Sequence, residues 1–181
     1  MSQFLEFCDS EMATIFARES IVARAYFERG QNLKFFGKVQ ANKDDLFWVL
    51  NGMAWDLWHV RLLEKAMTLR PAREARYFFP ALLTFDKRLI EIIDLYPLKA
   101  CAFVEGESEP MPFFEGDLLA RIAGNIDAQE PLLDRYYSAE ARNSRDGRRA
   151  KARANIGTTL ETLETALWNV SGCAQVCPLV S

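Results

Sequence analysis

The chain has 181 residues, of which half are hydrophobic and 12% aromatic, so it can build a sizeable core and is not of the disordered class. Its formal net charge of -3 excludes a strongly basic nucleic-acid-binding chain, so any contact with nucleic acid must come from a local patch. No run of about 18 apolar residues predicts a membrane span, and the acidic start MSQFLEFCDSEM argues against a signal peptide.

The cysteines do not form the pattern of a disulfide framework. They are scattered along the chain, at Cys8, Cys101, Cys173 and Cys177. We therefore expect reduced thiols and a cytoplasmic location. Cys173 and Cys177 lie four residues apart, but the single histidine of the chain, His59, leaves a zinc site short of ligands, so the role of this pair is open.

The first 45 residues carry two competing patterns. Residues 4–20 show a partial helical stripe of apolar side chains. The stretch IVARAYFERG, residues 21–30, is rich in β-branched and aromatic residues, and with LKFFGKV, residues 33–39, it predicts a β-hairpin. The polar segment NKDD, residues 42–45, then marks a break before the next helix.

Residues 48–69 predict a long helix. Five apolar residues recur at three- and four-residue steps and define one face: Trp55, Trp58, Leu62, Ala66 and Leu69. Pro71 ends the pattern. We expect this face to pack in the core with His59 at its edge; the alternative is a stacking site for a ligand.

Residues 73–125 alternate between extended and helical patterns. The expected order is a strand over 74–80, a helix over 81–95, strands over 96–105 and 111–116, and a helix over 117–125 that Gly124 and Asn125 end. From residue 131 to 172 the chain is expected to be helical. The whole predicts a single α+β domain over 1–181, with a small mixed sheet, flanking helices and a long amphipathic C-terminal helix.

The corner between the last strand and helix, MPFFEGDLLAR, is a candidate anion site. Asp117 stands where the helix begins, Gly116 would let a phosphate approach the backbone, and Arg121 could bind that phosphate from one turn further on. Glu115 and Asp117 could hold a divalent cation or activate water, which makes them the candidate catalytic and metal-binding residues. The structural alternative is that Asp117 only caps the helix while Arg121 and Glu115 are surface charges.

The order of elements and this acid-Gly corner resemble the ParB/sulfiredoxin superfamily, over residues 73–125. The resemblance implies nucleotide binding at the corner, with Mg²⁺ and ATP as cofactors, and ATPase or nuclease activity. It includes a branch of plasmid fertility-inhibition factors, which block conjugation from inside the donor cell. Leu118 stands where the family has a polar or basic residue and Arg121 is displaced, so the motif is degenerate.

A basic stretch follows near the C-terminus. Its six cations are Arg142, Arg145, Arg148, Arg149, Lys151 and Arg153, opposed within the stretch by Asp146 alone. On a helix Arg145, Arg149 and Arg153 align at four-residue steps, which predicts a stripe that follows a nucleic-acid phosphate backbone. The alternative is a solvated face paired with acids elsewhere in the chain.

The last helix carries an apolar seam with spacings of four, three, four and three residues. The seam consists of Ile156, Leu160, Leu163, Leu167 and Val170. It supports a second class of function, a non-enzymatic inhibitor that binds a protein partner, which is favoured if the seam is exposed. A helical bundle without a sheet is a third possibility, and it would remove the nucleotide site.

Overall fold

The computed structural model describes residues 1–69, 80–104, 110–125 and 127–171. The elements, in chain order, are α1 (Ser2–Ser10), α2 (Ala17–Arg29), α3 (Leu46–Met67), α4 (Lys87–Asp94), β1 (Leu98–Ala102), β2 (Met111–Phe114), α5 (Leu118–Ala123), α6 (Gln129–Leu132), α7 (Ala139–Ala154) and α8 (Ile156–Ser171). Two 3-10 turns, Gly30–Asn32 and Lys34–Lys38, follow α2, and a π-helical turn, Leu133–Tyr137, precedes α7. The α+β class, with a small sheet and flanking helices, is confirmed.

The chain divides into two compact units, each of which is described by itself. The first unit combines Met1–Phe47 with Asp117–Ser181, and the second consists of Trp48–Gly116. The expectation that residues 1–181 form one domain stays a prediction.

The core of the first unit is built from α1, α2, the 3-10 turns and α5. Its fully buried side chains include Leu5, Leu33, Phe35 and Ile122. The predicted hairpin over residues 21–39 is wrong, because residues 17–29 form α2 and residues 34–38 a 3-10 turn. The β-branched residues Ile21 and Val22 are buried there, and burial of that face outweighs their preference for strands.

Helix α5 ends against α2 at a position that requires glycine. Gly124 has a φ of 77°, in the left-handed region, as the predicted C-cap requires. A Cβ atom at Gly124 would meet the guanidinium group of Arg24, whose Nη1 donates a hydrogen bond to the Ala123 carbonyl oxygen at 3.2 Å. The arginine side chain is flexible and can move away, so the backbone conformation is what demands glycine here.

The second unit contains the two described strands. β1 and β2 pair antiparallel, with Leu98 opposite Phe114 and Ala102 opposite Met111, and the register shifts between Leu98 and Ala100. The rings of Tyr96 and Phe114 stack with centroids 4.5 Å apart. These two predicted strands are confirmed, whereas the third, over residues 74–80, lies outside the described residues except for Pro80.

The helix predicted over 81–95 is shorter than expected. It spans Lys87–Asp94, because Asp86 caps it by accepting a hydrogen bond from the Arg88 backbone N–H at 2.8 Å. Its apolar side chains Leu89 and Ile92 are buried. A local cap thus set the helix start six residues beyond the one that periodicity predicted.

The long helix α3 is confirmed, but its predicted core face is exposed. Trp55, Trp58 and Leu62 are each about half exposed, while Met53 and Val60 are buried. α3 is apolar on more than one side, so its periodicity alone did not identify the buried face. Within the described part of the chain, no helix combines the length and apolarity that a membrane crossing requires.

Candidate functional site

The predicted anion corner divides between the two units. Glu115 and Gly116 end the second unit, and Asp117 begins the second segment of the first unit. Gly116 has a φ of 91°, a conformation that favours glycine, so the predicted turn is present. Glu115 forms an ion pair with Lys99, whose Nζ lies 2.7 Å from Oε2, and this pair links the two strands of the hairpin.

Asp117 acts as a helix cap. Its Oδ1 accepts a hydrogen bond from the Ala120 backbone N–H at 2.7 Å, which satisfies one of the free amides of the first turn. α5 has only six residues, and Arg121 is half-buried near its end. Asp117 therefore has the structural capping role that the sequence left open.

No cluster of three or more histidine, cysteine or acidic side chains suited to a metal occurs among the described residues. Metal binding and catalysis by Glu115 and Asp117, and nucleotide binding by Gly116 and Arg121, stay predictions. Cys173 and Cys177 lie outside the described residues. Cys8 and Cys101 are free thiols.

The basic stretch lies on α7, but two of its arginines form hydrogen bonds with Asp9 at the end of α1. Arg145 is only 6% exposed. Its Nη1 donates to Oδ1 of Asp9 at 2.9 Å, and its Nη2 donates to the Tyr136 carbonyl oxygen at 2.6 Å. Arg148 donates from Nη2 to Oδ2 of Asp9 at 2.9 Å and from Nη1 to the Asp9 carbonyl oxygen at 2.7 Å.

This cluster, which we call the Asp9 clamp, joins the end of α1 to the middle of α7. Burial acts to raise the pKa of Asp9, but the hydrogen bonds and charges of Arg145 and Arg148 outweigh it and hold that pKa below its usual value. Arg145 is buried in this clamp, and its place in a phosphate-binding stripe stays a prediction. Sequence inspection missed Asp9, because its partners lie more than 130 residues away.

The remaining cations of α7 stay at the surface. Arg142, Arg149, Lys151 and Arg153 are exposed. Arg149 pairs with Asp146, with Nη2 2.8 Å from Oδ1, so the one acid of the stretch neutralises part of the stripe. The predicted patch of six cations is thereby reduced to four exposed ones with an acid among them.

An open cleft of about 660 Å³ lies in the first unit, where the end of α1 meets the junction of α7 and α8. Arg148 and Lys151 contribute its cations, Glu11 an acid, and Thr158 and Thr159 hydroxyl groups. Its volume is in the range of small-molecule sites, and its lining combines these charged and hydroxyl groups with a larger apolar surface.

The apolar seam of α8 is exposed along most of its length. Ile156, Leu160 and Leu163 are 46–47% exposed, and Val170 is 81% exposed. Ser171, at the last position, is the one residue of this helix that is buried. The predicted amphipathic helix over 156–170 is confirmed, and its seam meets the condition under which the sequence favoured a protein partner.

Comparison of the chain with protein-family models, with curated proteins and with solved structures finds no match. Membership of the ParB/sulfiredoxin superfamily, with the plasmid role that it implies, stays a prediction.

Proposed function

We propose that this chain is a non-enzymatic protein-interaction protein that binds an amphipathic helix of its partner along the α8 seam. The observation that carries the proposal is the exposure of apolar side chains at heptad-like spacing. Such a stripe is the surface that another helix covers in helix-in-groove and coiled-coil recognition. Blocking a partner in this way is the action of an inhibitor, the class that the sequence left open.

The charge of α8 indicates the chemistry of the partner. Glu161 and Glu164 are its charged residues, and the helix contains no lysine or arginine. A partner helix with lysine or arginine beside its apolar stripe would complement these acids. Charge of this kind favours association rate and specificity more than affinity.

The affinity expected from the seam alone is weak. Burying a whole leucine or isoleucine side chain contributes about 1.5–3 kcal/mol, so the four exposed seam residues, mostly half exposed, would contribute about 4–6 kcal/mol. Association itself costs at least about 4 kcal/mol in lost translational and rotational freedom. Contacts beyond the seam are therefore needed for binding tighter than the millimolar range.

A designed peptide tests this proposal with a defined probe. A basic amphipathic 16-residue peptide with leucines in heptad register should bind the full chain and gain helicity, measured by calorimetry and circular dichroism. A scrambled peptide of the same composition is the control for non-specific charge and apolar attraction. Val170→Asp should weaken binding, because it places a charge on the seam without disturbing a buried side chain. Equal binding of both peptides, or unchanged binding by Val170→Asp, would contradict the proposal.

Phosphate binding is a second candidate, supported by the exposed cations of α7 and by the two cations that line the cleft. We infer that Lys151, which lines the cleft, would contact the phosphates of a nucleotide there, while Arg142 and Arg153 would contact a DNA backbone. ATP, with and without Mg²⁺, should raise the melting temperature of the wild type but not of Lys151→Ala. DNA affinity should fall steeply with salt, and Arg153→Ala should weaken it. If ATP does not raise the melting temperature of the wild type, the proposal of nucleotide binding is wrong. If DNA affinity does not depend on salt, the proposed contact with the DNA backbone is wrong.

A cytoplasmic location is part of the same proposal. It is supported by the free thiols Cys8 and Cys101, which are typical of a reducing compartment. Fractionation of cells that express the full chain with its own termini tests it, and recovery in the medium or the periplasm would contradict it.

A further inference from the structure

Helix α3 has two apolar stripes on opposite sides. The first is buried and consists of residues seven apart: Leu46, Met53 and Val60. The second is exposed and has the same seven-residue spacing: Trp48, Trp55 and Leu62 on the helix, followed by Leu69 two residues beyond its end. The two stripes are offset by two residues, about 200° around a helix of 3.6 residues per turn, so they face opposite ways. One side of the helix packs in the protein's own core, and the other side is exposed and can contact another molecule.

The exposed stripe, which with Trp58 we call the tryptophan face, is large for a surface without a partner. Trp48 is 75% exposed, Trp55 55% and Trp58 48%. A tryptophan side chain buries up to about 250 Å², so these three alone would leave roughly 450 Å² of indole surface in water. The largest apolar patch of a monomeric protein is about 300–600 Å² and is often functional. Leu62 and Leu69, each about half exposed, extend the face further.

The area fits pairing with another helix of equal length. A stable interface buries about 800 Å² from each partner, with tryptophans over-represented among the residues that contribute most to binding. The tryptophans supply about half of this area, and the two leucines with the flanking residues supply much of the rest. From Trp48 to Leu62 the helical part of the face is about 21 Å long, at 1.5 Å per residue, and Leu69 follows just beyond the helix end. A seven-residue spacing keeps such a face directed at a partner helix along these two heptads.

The order of residue sizes along the face indicates which helix covers it. Trp48, Trp55 and Trp58 occupy its first half, and Leu62 and Leu69 occupy its second half. A second copy in antiparallel orientation would place each tryptophan half against a leucine half, so that large side chains face smaller ones at both ends. A parallel copy would place tryptophan on tryptophan at three levels. A two-fold axis near Trp58 and His59 generates the antiparallel arrangement, in which both copies contact each other through the same face.

We propose that the tryptophan face of α3 binds the same face of a second copy of this chain, in antiparallel orientation, to form a homodimer. This surface lies on the second unit and is independent of the α8 seam, which lies on the first. The pairing gives the chain two separate docking surfaces, one for itself and one for a different protein. Failure of one proposal leaves the other intact.

Sedimentation equilibrium of the full chain tests the dimer. The wild type should reach twice the 20.7 kDa chain mass at micromolar concentration. Trp55→Lys and Leu62→Glu should each raise the dissociation constant about 30-fold or more, the effect of losing a residue that dominates an interface. Phe27→Lys, at an apolar position of α2 that is as exposed as Trp55, is the matched control and should remain dimeric.

Mixing the two variants tests the orientation. In the antiparallel pair, Lys at position 55 of one chain faces Glu at position 62 of the other, so an equimolar mixture should form a heterodimer although each variant alone is monomeric. Circular dichroism and melting curves establish that both variants are folded. A monomeric wild type at 100 µM (~100 times a micromolar dissociation constant), or a Trp55→Lys variant that dimerises like the wild type, would overturn the dimer. Folded variants that stay monomeric on mixing would overturn the antiparallel arrangement.

Discussion

The Asp9 clamp gives the sharpest stability prediction, through the substitution Asp9→Asn. This change keeps the size of the side chain but removes the charge that faces Arg145 and Arg148. Arg145 would then be left in a buried position with the Tyr136 carbonyl oxygen as its remaining acceptor in the clamp. A buried charge without a counter-ion is among the costliest changes that one substitution can make.

The expected cost is about 2–3 kcal/mol. Removing one partner of a fully buried ion pair costs about 3–5 kcal/mol, because the other charge stays buried and unpaired. The cost expected for Asp9→Asn is smaller than that value, because the side chains of Asp9 and Arg148 are 26% and 38% exposed and water can reach them. The asparagine amide oxygen can still accept one hydrogen bond, which also limits the loss.

Urea unfolding followed by circular dichroism measures this effect. With a slope of about 2 kcal/mol/M, a loss of 2–3 kcal/mol should lower the midpoint by about 1–1.5 M without a change in the slope. Asp146→Asn is the matched control, because it breaks the exposed pair with Arg149 and should cost no more than about 0.5 kcal/mol. Adding Arg145→Met to Asp9→Asn should recover part of the loss, because the buried charge is then removed. Equal midpoint shifts for Asp9→Asn and Asp146→Asn would refute the reasoning.

Three further predictions concern pH, backbone conformation and thiol reactivity. The pKa of Asp9 is lower in the folded protein than in the unfolded chain, so its charged form should stabilise the fold fully above the unfolded pKa of about 3.9. This contribution should be lost as pH falls through the lower folded pKa. Asp9→Asn should therefore flatten that part of an acid-unfolding curve. Gly124→Ala should lower stability by at least about 1 kcal/mol in a urea titration, because alanine is strained at this left-handed φ, and a neutral result would contradict the left-handed conformation. Burial and, to a smaller extent, the charge of Glu19 raise the pKa of the Cys8 thiol to about 11, so peptide mapping after iodoacetamide treatment at pH 8 should find Cys8 unmodified in the native protein; rapid alkylation would contradict its burial.

Local patterns in the sequence determined the elements whose limits depend on neighbouring residues. The helices α3 and α8 follow from apolar spacing, and the strands β1 and β2 from short runs bounded by turn residues. The cap by Asp117 and the stop at Gly124 also follow from sequence, because a cap involves a side chain and a backbone group only a few residues apart.

The tertiary structure alone decided which of these surfaces are buried. α3 carries apolar side chains on two sides, and long-range packing buried the side with Met53 and left Trp55 in water. Residues 21–29 had a composition typical of strands, and the core contacts of Ile21 made them a helix.

The same holds for charge on α7. Arg145 and Arg149 are equivalent in the sequence pattern, yet one is buried against Asp9 and the other lies in solvent beside Asp146. Periodicity assigns residues to a face of a helix, but what that face meets depends on segments more than 100 residues away. The sequence by itself therefore determined the helices and strands, and only the tertiary structure decided which of their side chains remain available to a partner.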